Sequence, residues 1–208
     1  DQLYRLGQLL GRMHAVGANR PFEHRETLGV QNFGHDSLST LLEGNFVPRS
    51  LLPAYESVAR DLLKRVEDVF ASTNFTPIRL HGDCHPGNIL ARDDAFYLVD
   101  LDDCRMGPAV QDLWMMLAGE RHERLGQLAE LVDGYNEFHD FAPRELPLIE
   151  ALRALRLMHY SAWLARRWDD PAFPMSFPWF GSERYWGDQV LILREQMSAL
   201  QEEPLRLF

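Results

Sequence analysis

An α+β fold, mainly α, is predicted by three features. Apolar residues recur at helical spacing through most of the chain, the period shortens to β-prone runs between residues 78 and 99, and the notable polar residues cluster at the edges of those runs. Leu3, Leu6, Leu10, Met13 and Val16 recur at three and four, which predicts a helix over 2–16 with Gly17 as its stop. Gly7 and Gly11 lie inside this pattern without G-x-G-x-x-G spacing, so they read as a place of close helix contact and not as a phosphate cradle. From 18 to 49, Gly, Asn, Pro and Ser accumulate and periodicity weakens, predicting an extended surface connection with one helical turn around 37–42. A second long helix has Pro53 in its first turn and Tyr55, Val58, Leu62, Val66 and Val69 on its apolar face, and it ends before Asn74 and Pro77. Ile78-Arg79-Leu80, Ile89-Leu90-Ala91 and Phe96-Tyr97-Leu98-Val99 are β-prone, and Arg92-Asp93-Asp94 has hairpin-turn composition. Helical patterns return at 109–118, 122–141, 146–168 and 182–201, interrupted by a Pro- and aromatic-rich loop at 171–179. Trp163, Trp168, Trp179 and Trp186 read as core and loop anchors in such a domain.

At 208 residues and 46% hydrophobic, the chain can bury roughly 70% of its unfolded surface and needs no disulfide or structural metal. Twenty-one Lys and Arg against 31 Asp and Glu give a net charge of −10 with no basic block, which argues against nucleic acid and anionic membranes as partners. No apolar stretch approaches the ~18 residues of a membrane span, and charges throughout the first twenty residues exclude a signal-peptide core. Cys84 and Cys104 form neither a disulfide framework nor a zinc pattern, which fits a reducing cytoplasm.

The polar cluster carries the chemistry. His81-Gly82-Asp83-Cys84-His85-Pro86-Gly87-Asn88 follows the first short strand, and Asp100-Leu101-Asp102-Asp103 follows the hairpin. An antiparallel return between Asn88 and Asp100 sets those two residues side by side. Oxygen donors from a carboxylate and an amide suit a hard cation such as Mg²⁺, completed by water and substrate phosphates. A carboxylate just outside such a site can accept the proton of an attacking hydroxyl. Asp102 would point the same way as Asp100 on an extended backbone, leaving metal-binding and structural roles both open. His85, next to Cys84, reads as a loop brace, as do His14, His139 and His159 on helix patterns.

H-x-D-x-x-x-x-N followed by an Asp-led strand end resembles the kinase-like aminoglycoside phosphotransferase superfamily. Leu80-His81-Gly82-Asp83-Cys84-His85, Val99-Asp100-Leu101-Asp102-Asp103, Gly107-Pro108-Ala109-Val110-Gln111-Asp112-Leu113-Trp114 and Asp169-Asp170-Pro171-Ala172-Phe173-Pro174 resemble the bacterial stress response kinase A family, cytoplasmic Ser/Thr protein kinases using ATP and Mg²⁺. The resemblance implies a kinase-like C-terminal lobe over 1–208, with Asp83 as catalytic base and Asn88 and Asp100 as metal ligands. It also implies Leu90 as the apolar floor beneath the adenine, His81 as a brace of the catalytic loop and Asp112 as the buried tie to the following helix.

The phosphate-covering Gly-rich loop and strand Lys of such kinases find no match, because the single lysine, Lys64, lies on a solvated helix face. With Asp1 in place of an initiator Met, this leads to the expectation of a longer enzyme in which the chain begins just after the hinge and its own N-terminal lobe is its partner. The competing readings are a small-molecule phosphotransferase of the aminoglycoside or choline kinase type, a non-catalytic binding lobe, and a metal-dependent hydrolase.

Overall fold

The computed structural model describes residues 2–93 and 95–207, so Asp1, expected next to the hinge, and the turn residue Asp94 lie outside the described residues, as does Phe208. In chain order the elements are α1 (Gln2–Gly17), α2 (Asp36–Glu43), α3 (Leu52–Ser72), β1 (Ile78–Leu80), β2 (Ile89–Arg92), β3 (Ala95–Leu98), β4 (Arg105–Gly107), α4 (Gln111–Trp114), α5 (Arg121–Tyr135), α6 (Leu148–Arg166), α7 (Ala172–Ser176) and α8 (Glu183–Ala199). The chain divides into two compact units, one of Asp1–Leu28, Thr73–Ile149 and Pro204–Phe208, the other of Gly29–Ser72 and Glu150–Glu203.

The first unit pairs α1 with α5 and carries two antiparallel ribbons, β1 with β4 and β2 with β3. The buried stripe of α1 keeps Leu6 and Leu10 of the expected Leu3-to-Val16 line but is rotated away from its other members. It runs through Leu6, Gly7, Leu10, Gly11, His14 and Gly17, and Val16 is 63% exposed. The rotation follows from the glycines: a Cβ on Gly7 would overlap the Leu131 carbonyl oxygen, one on Gly11 that of Tyr135, and one on Gly134 of α5 that of Tyr4. The helices meet backbone to backbone, the close contact read from Gly7 and Gly11. Gly7→Ala in the full-length protein should therefore lower the urea midpoint by the equivalent of about 1–3 kcal/mol. Gly126→Ala, on α5 with open space around it, should stabilise by about 0.5–1 kcal/mol. Equal effects of the two would rule out the interlock.

Two expectations change in this unit. The helix over 109–118 shrinks to the single turn of α4, and that over 122–141 stops at Tyr135, where the Asn136 side chain accepts the Phe141 N–H at 2.8 Å and turns the chain. Beside the expected hairpin, β1 gains a partner in β4, with Ile78 opposite Gly107 and Leu80 opposite Arg105.

In the second unit α3 packs on α8 and α2 on α3. Residues 18–49 are more ordered than an extended connection, since a π-helical turn (Gln31–His35) leads into α2, which buries Leu38 and Leu41. The loop at 171–179 contains the short α7. Trp186 is fully buried with its ring 5.1 Å from Tyr55 and 5.4 Å from Phe180, and Trp168 lies 5.0 Å from Phe180, so these tryptophans anchor the core. Lys64 is exposed on α3.

Candidate active site

The loop after β1 is built around one backbone feature. Gly82 has φ +88°, and a Cβ there would overlap the Asp103 carbonyl oxygen, so only glycine lets the chain turn here against the 101–103 segment. The flanking amides are held from below by Asp112 at the start of α4: His81 N–H donates to Oδ2 at 2.7 Å and Gly82 N–H to Oδ1 at 2.9 Å. Gln111 Nε2 donates to the Gly82 carbonyl at 3.0 Å, and the His81 ring sits 2.9 Å from the Val99 carbonyl through Nε2. His81 thereby links the loop to the strand end that leads into Asp100.

Asp83 stands on this support with its side chain 21% exposed. The Gly87 N–H donates to His85 Nδ1 at 3.0 Å, which leaves the ring proton on Nε2, the nitrogen facing Asp83 Oδ2 at 3.4 Å. His85 is thus a brace of the Pro86–Asn88 turn that presents an N–H toward the carboxylate. Cys84 is fully buried, and burial pushes its thiol well above the ordinary range, so it stays protonated and is no nucleophile.

Asn88 joins the two halves of the cluster. Its Nδ2 donates to the Asp83 carbonyl at 3.0 Å, and its own carbonyl accepts the Val99 N–H at 3.0 Å, extending the Ile89–Leu98 pairing by one step. Asn88 is therefore brought beside both Asp83 and the residue preceding Asp100. With the amide nitrogen committed to Asp83, Oδ1 is the free end, and it accepts no hydrogen bond among the described residues.

Asp100 occupies the left-handed region at φ 61°, ψ 70°, which costs a non-glycine residue of order 1 kcal/mol or more. Its carboxylate is exposed and has no ion pair or hydrogen bond to the described residues. Asp102 does not follow it on an extended backbone. It lies in the 3-10 turn Leu101–Asp103, where side chains fan around the axis, so the expected shared direction with Asp100 is lost. Arg25 instead holds the Asp102 carbonyl, and Arg105 neutralises Asp103 at 2.5 Å.

An amide oxygen and a carboxylate, each without a hydrogen-bond partner among the described residues, fit a hard divalent cation. Among the described residues no group of three or more His, Cys, Asp or Glu side chains could hold a metal. Leu90 lies opposite Tyr97 on the ribbon, both 53% exposed, which puts an aliphatic and an aromatic side chain on one apolar face.

Sequence reasoning gave no part in the site to Gln111, His14 or Tyr135. Fully buried, His14 contacts Asp112 Oδ2 through Nε2 at 2.9 Å and the Tyr135 hydroxyl through Nδ1 at 2.8 Å. Its only trace in the sequence is a histidine falling in the stripe of Leu6, Gly7, Leu10 and Gly11.

Residues 1–155 match the phosphotransferase enzyme family. Stress response kinase A of Escherichia coli is 45% identical over 207 residues, and a Salmonella typhimurium protein named serine/threonine protein kinase RdoA is 44% identical over 207. Both alignments cover 100% of this chain and 62% of the relative, so the chain spans under two thirds of their length. Among solved structures, amicoumacin kinase hAmiN, in complex with AMP-PNP, Ca2+ and Ami, superimposes with a TM-score of 0.66 at 16% identity, over 100% of this chain and 61% of that one. A choline/ethanolamine kinase family protein from Mesorhizobium loti gives 0.64 at 19% identity, over 94% and 62%. At these identities the likeness is one of fold.

Proposed function

The chain belongs to the phosphotransferase enzyme family, and from that premise we propose that it is the catalytic C-terminal lobe of a kinase transferring the γ-phosphoryl of ATP to Ser/Thr hydroxyls of proteins. The observation that carries the reading is Asn88, whose side chain holds the Asp83 carbonyl while its backbone holds the strand end before Asp100, leaving its amide oxygen free. Asp83 accepts the proton of the attacking hydroxyl as that oxygen bonds to the γ-phosphorus, and the bond to the bridging oxygen breaks with its electrons left on ADP. Asn88 Oδ1 and Asp100 would hold Mg²⁺, which when bound supplies positive charge against the phosphate oxygens. Leu90 and Tyr97 offer an apolar floor to the adenine. The clamp over the phosphates belongs to an N-terminal lobe, for which Lys64 is no substitute.

The name of the Salmonella relative supports a protein acceptor. The names of the solved neighbours favour a second reading, a small-molecule alcohol of the antibiotic or choline type. We place the reaction in the cytoplasm, where Cys84 and Cys104 remain free thiols. No helix among the described residues is long and apolar enough to cross a membrane.

The test uses the full-length protein with labelled ATP, offered a generic basic protein or a panel of small alcohols. Transfer to Ser/Thr is the expected result, and transfer to an alcohol alone would move the assignment to the second reading. In the same protein Asp100→Ala should weaken Mg²⁺-dependent ATP binding by at least about tenfold. Unchanged binding would remove Asp100 from the metal site.

A further inference from the structure

We propose that Arg25 is a positioning residue for the metal site, holding from a distant segment the turn that follows Asp100 and so keeping that aspartate in its left-handed conformation. The inference rests on the reading of Asp100 as a Mg²⁺ ligand. A non-glycine residue stays at φ 61° only where its neighbours on both sides are fixed. Before Asp100, Val99 is held twice, its N–H by the Asn88 carbonyl at 3.0 Å and its carbonyl by His81 Nε2 at 2.9 Å. After Asp100, the Leu101–Asp103 turn is exposed, closes through the Cys104 N–H on the Leu101 carbonyl at 3.2 Å, and takes no cap from the Asp100 side chain. Arg105, anchored opposite Leu80 on β4, grips only the last residue of the turn, Asp103.

Arg25 supplies the tie that the middle of the turn lacks. Its Nη1 donates to the Asp102 carbonyl, and among the described residues this is the one hydrogen bond that reaches Leu101–Asp103 from outside residues 100–105. The backbone from which it reaches is itself fixed. The Phe22 N–H donates to Met106 Sδ at 3.4 Å, the Glu26 carbonyl accepts the Met106 N–H at 3.4 Å, and the Leu28 N–H donates to the Met106 carbonyl at 2.8 Å. Residues 22–28 therefore lie along β4, with Arg25 between two of these ties, and the Arg79 guanidinium sits 5.4 Å from the Phe22 ring centroid. The choice of acceptor points the same way. Arg25 forms no ion pair among the described residues, and neither does the carboxylate of Asp102, the residue it holds. A guanidinium that only balanced charge would meet that carboxylate. Donating to the carbonyl instead fixes the peptide plane between Asp102 and Asp103, and with it the winding of the turn that Asp100 begins.

The experiment compares full-length Arg25→Met with the parent, with Arg20→Ala as a control for charge lost from the same segment and Asp100→Ala as reference. In the metal-free protein, hydrogen exchange at the Cys104 amide should quicken at least about threefold in Arg25→Met. In equilibrium ATP binding, the Mg²⁺ concentration at half-saturation should rise about 3–10-fold, and Arg25→Lys, which keeps a donor, should recover most of that rise. Arg20→Ala should change neither quantity. In the Asp100→Ala background, Arg25→Met should raise the Mg²⁺ requirement no further, because a residue acting through Asp100 then has nothing left to position. If Arg25→Met melts earlier but its Mg²⁺ requirement stays within about 1.5-fold of the parent, the residue is structural and the proposal fails. An equal rise in Arg20→Ala would reduce the effect to surface charge and overturn it as well. Should Arg25→Met not fold, Arg25→Gln decides, being neutral and ending where the Arg Nε lies, and an unchanged requirement there overturns the proposal. Mg²⁺-dependent ATP binding that survives in Asp100→Ala would instead sink the underlying reading, so the two failures are distinguishable.

Discussion

Asp83→Asn in the full-length protein should reduce phosphoryl transfer by about 10²–10⁴-fold while ATP affinity stays within about twofold. The expectation follows from how the loop is built. Asn88 binds the backbone carbonyl of Asp83, not its carboxylate, so the substitution leaves Asn88 Oδ1 and the strand end before Asp100 where they are. The amides that set the loop belong to His81 and Gly82, and they too are untouched. An Asn of the same shape can still accept the His85 Nε2–H that stands 3.4 Å from Oδ2. What is lost is the ability to take a proton from the acceptor hydroxyl. Steady-state transfer and equilibrium ATP binding, measured side by side, decide the matter, and a variant with near-normal turnover would deny Asp83 its role as base.

The second large effect belongs to Asp112. Asp112→Ala should cost about 3–5 kcal/mol of stability, because it strands the His81 and Gly82 amides and His14 Nε2 in an interior where water does not replace the carboxylate. Asp112→Asn should recover little of this. All three groups facing the side chain are donors, and the amide brings one acceptor oxygen and an NH₂ that must point at one of them. Transfer activity should fall in both variants, since the two amides immediately before Asp83 lose the carboxylate that positions them. Urea denaturation read by far-ultraviolet circular dichroism gives the stability, and a loss below about 1 kcal/mol in Asp112→Ala would show that the loop is held by other means.

The site was legible to the extent that it is local. H-x-D-x-x-x-x-N places Asp83 and Asn88 on one turn, and β-propensity with a short polar connection is enough to fold β2 onto β3 and bring Asp100 back toward Asn88. The metal-binding part of Asp102 could not be decided in the same way. Whether residues after a strand continue extended or wind into a turn depends here on Arg25, which holds the Asp102 carbonyl from 77 positions away, and that contact has no linear signature.

Sequence by itself determined the helical character, the hairpin and the close approach around Gly7 and Gly11, because propensity and period report the energy of neighbouring residues. Tertiary structure alone decided that Val16 faces outward from α1, and that three residues, Arg105–Gly107, become the partner of β1. It alone decided that His14 meets an aspartate 98 positions away. Each of these turns on single long-range hydrogen bonds or backbone contacts, whose free energy depends on where two distant segments meet and leaves no periodic mark along the chain.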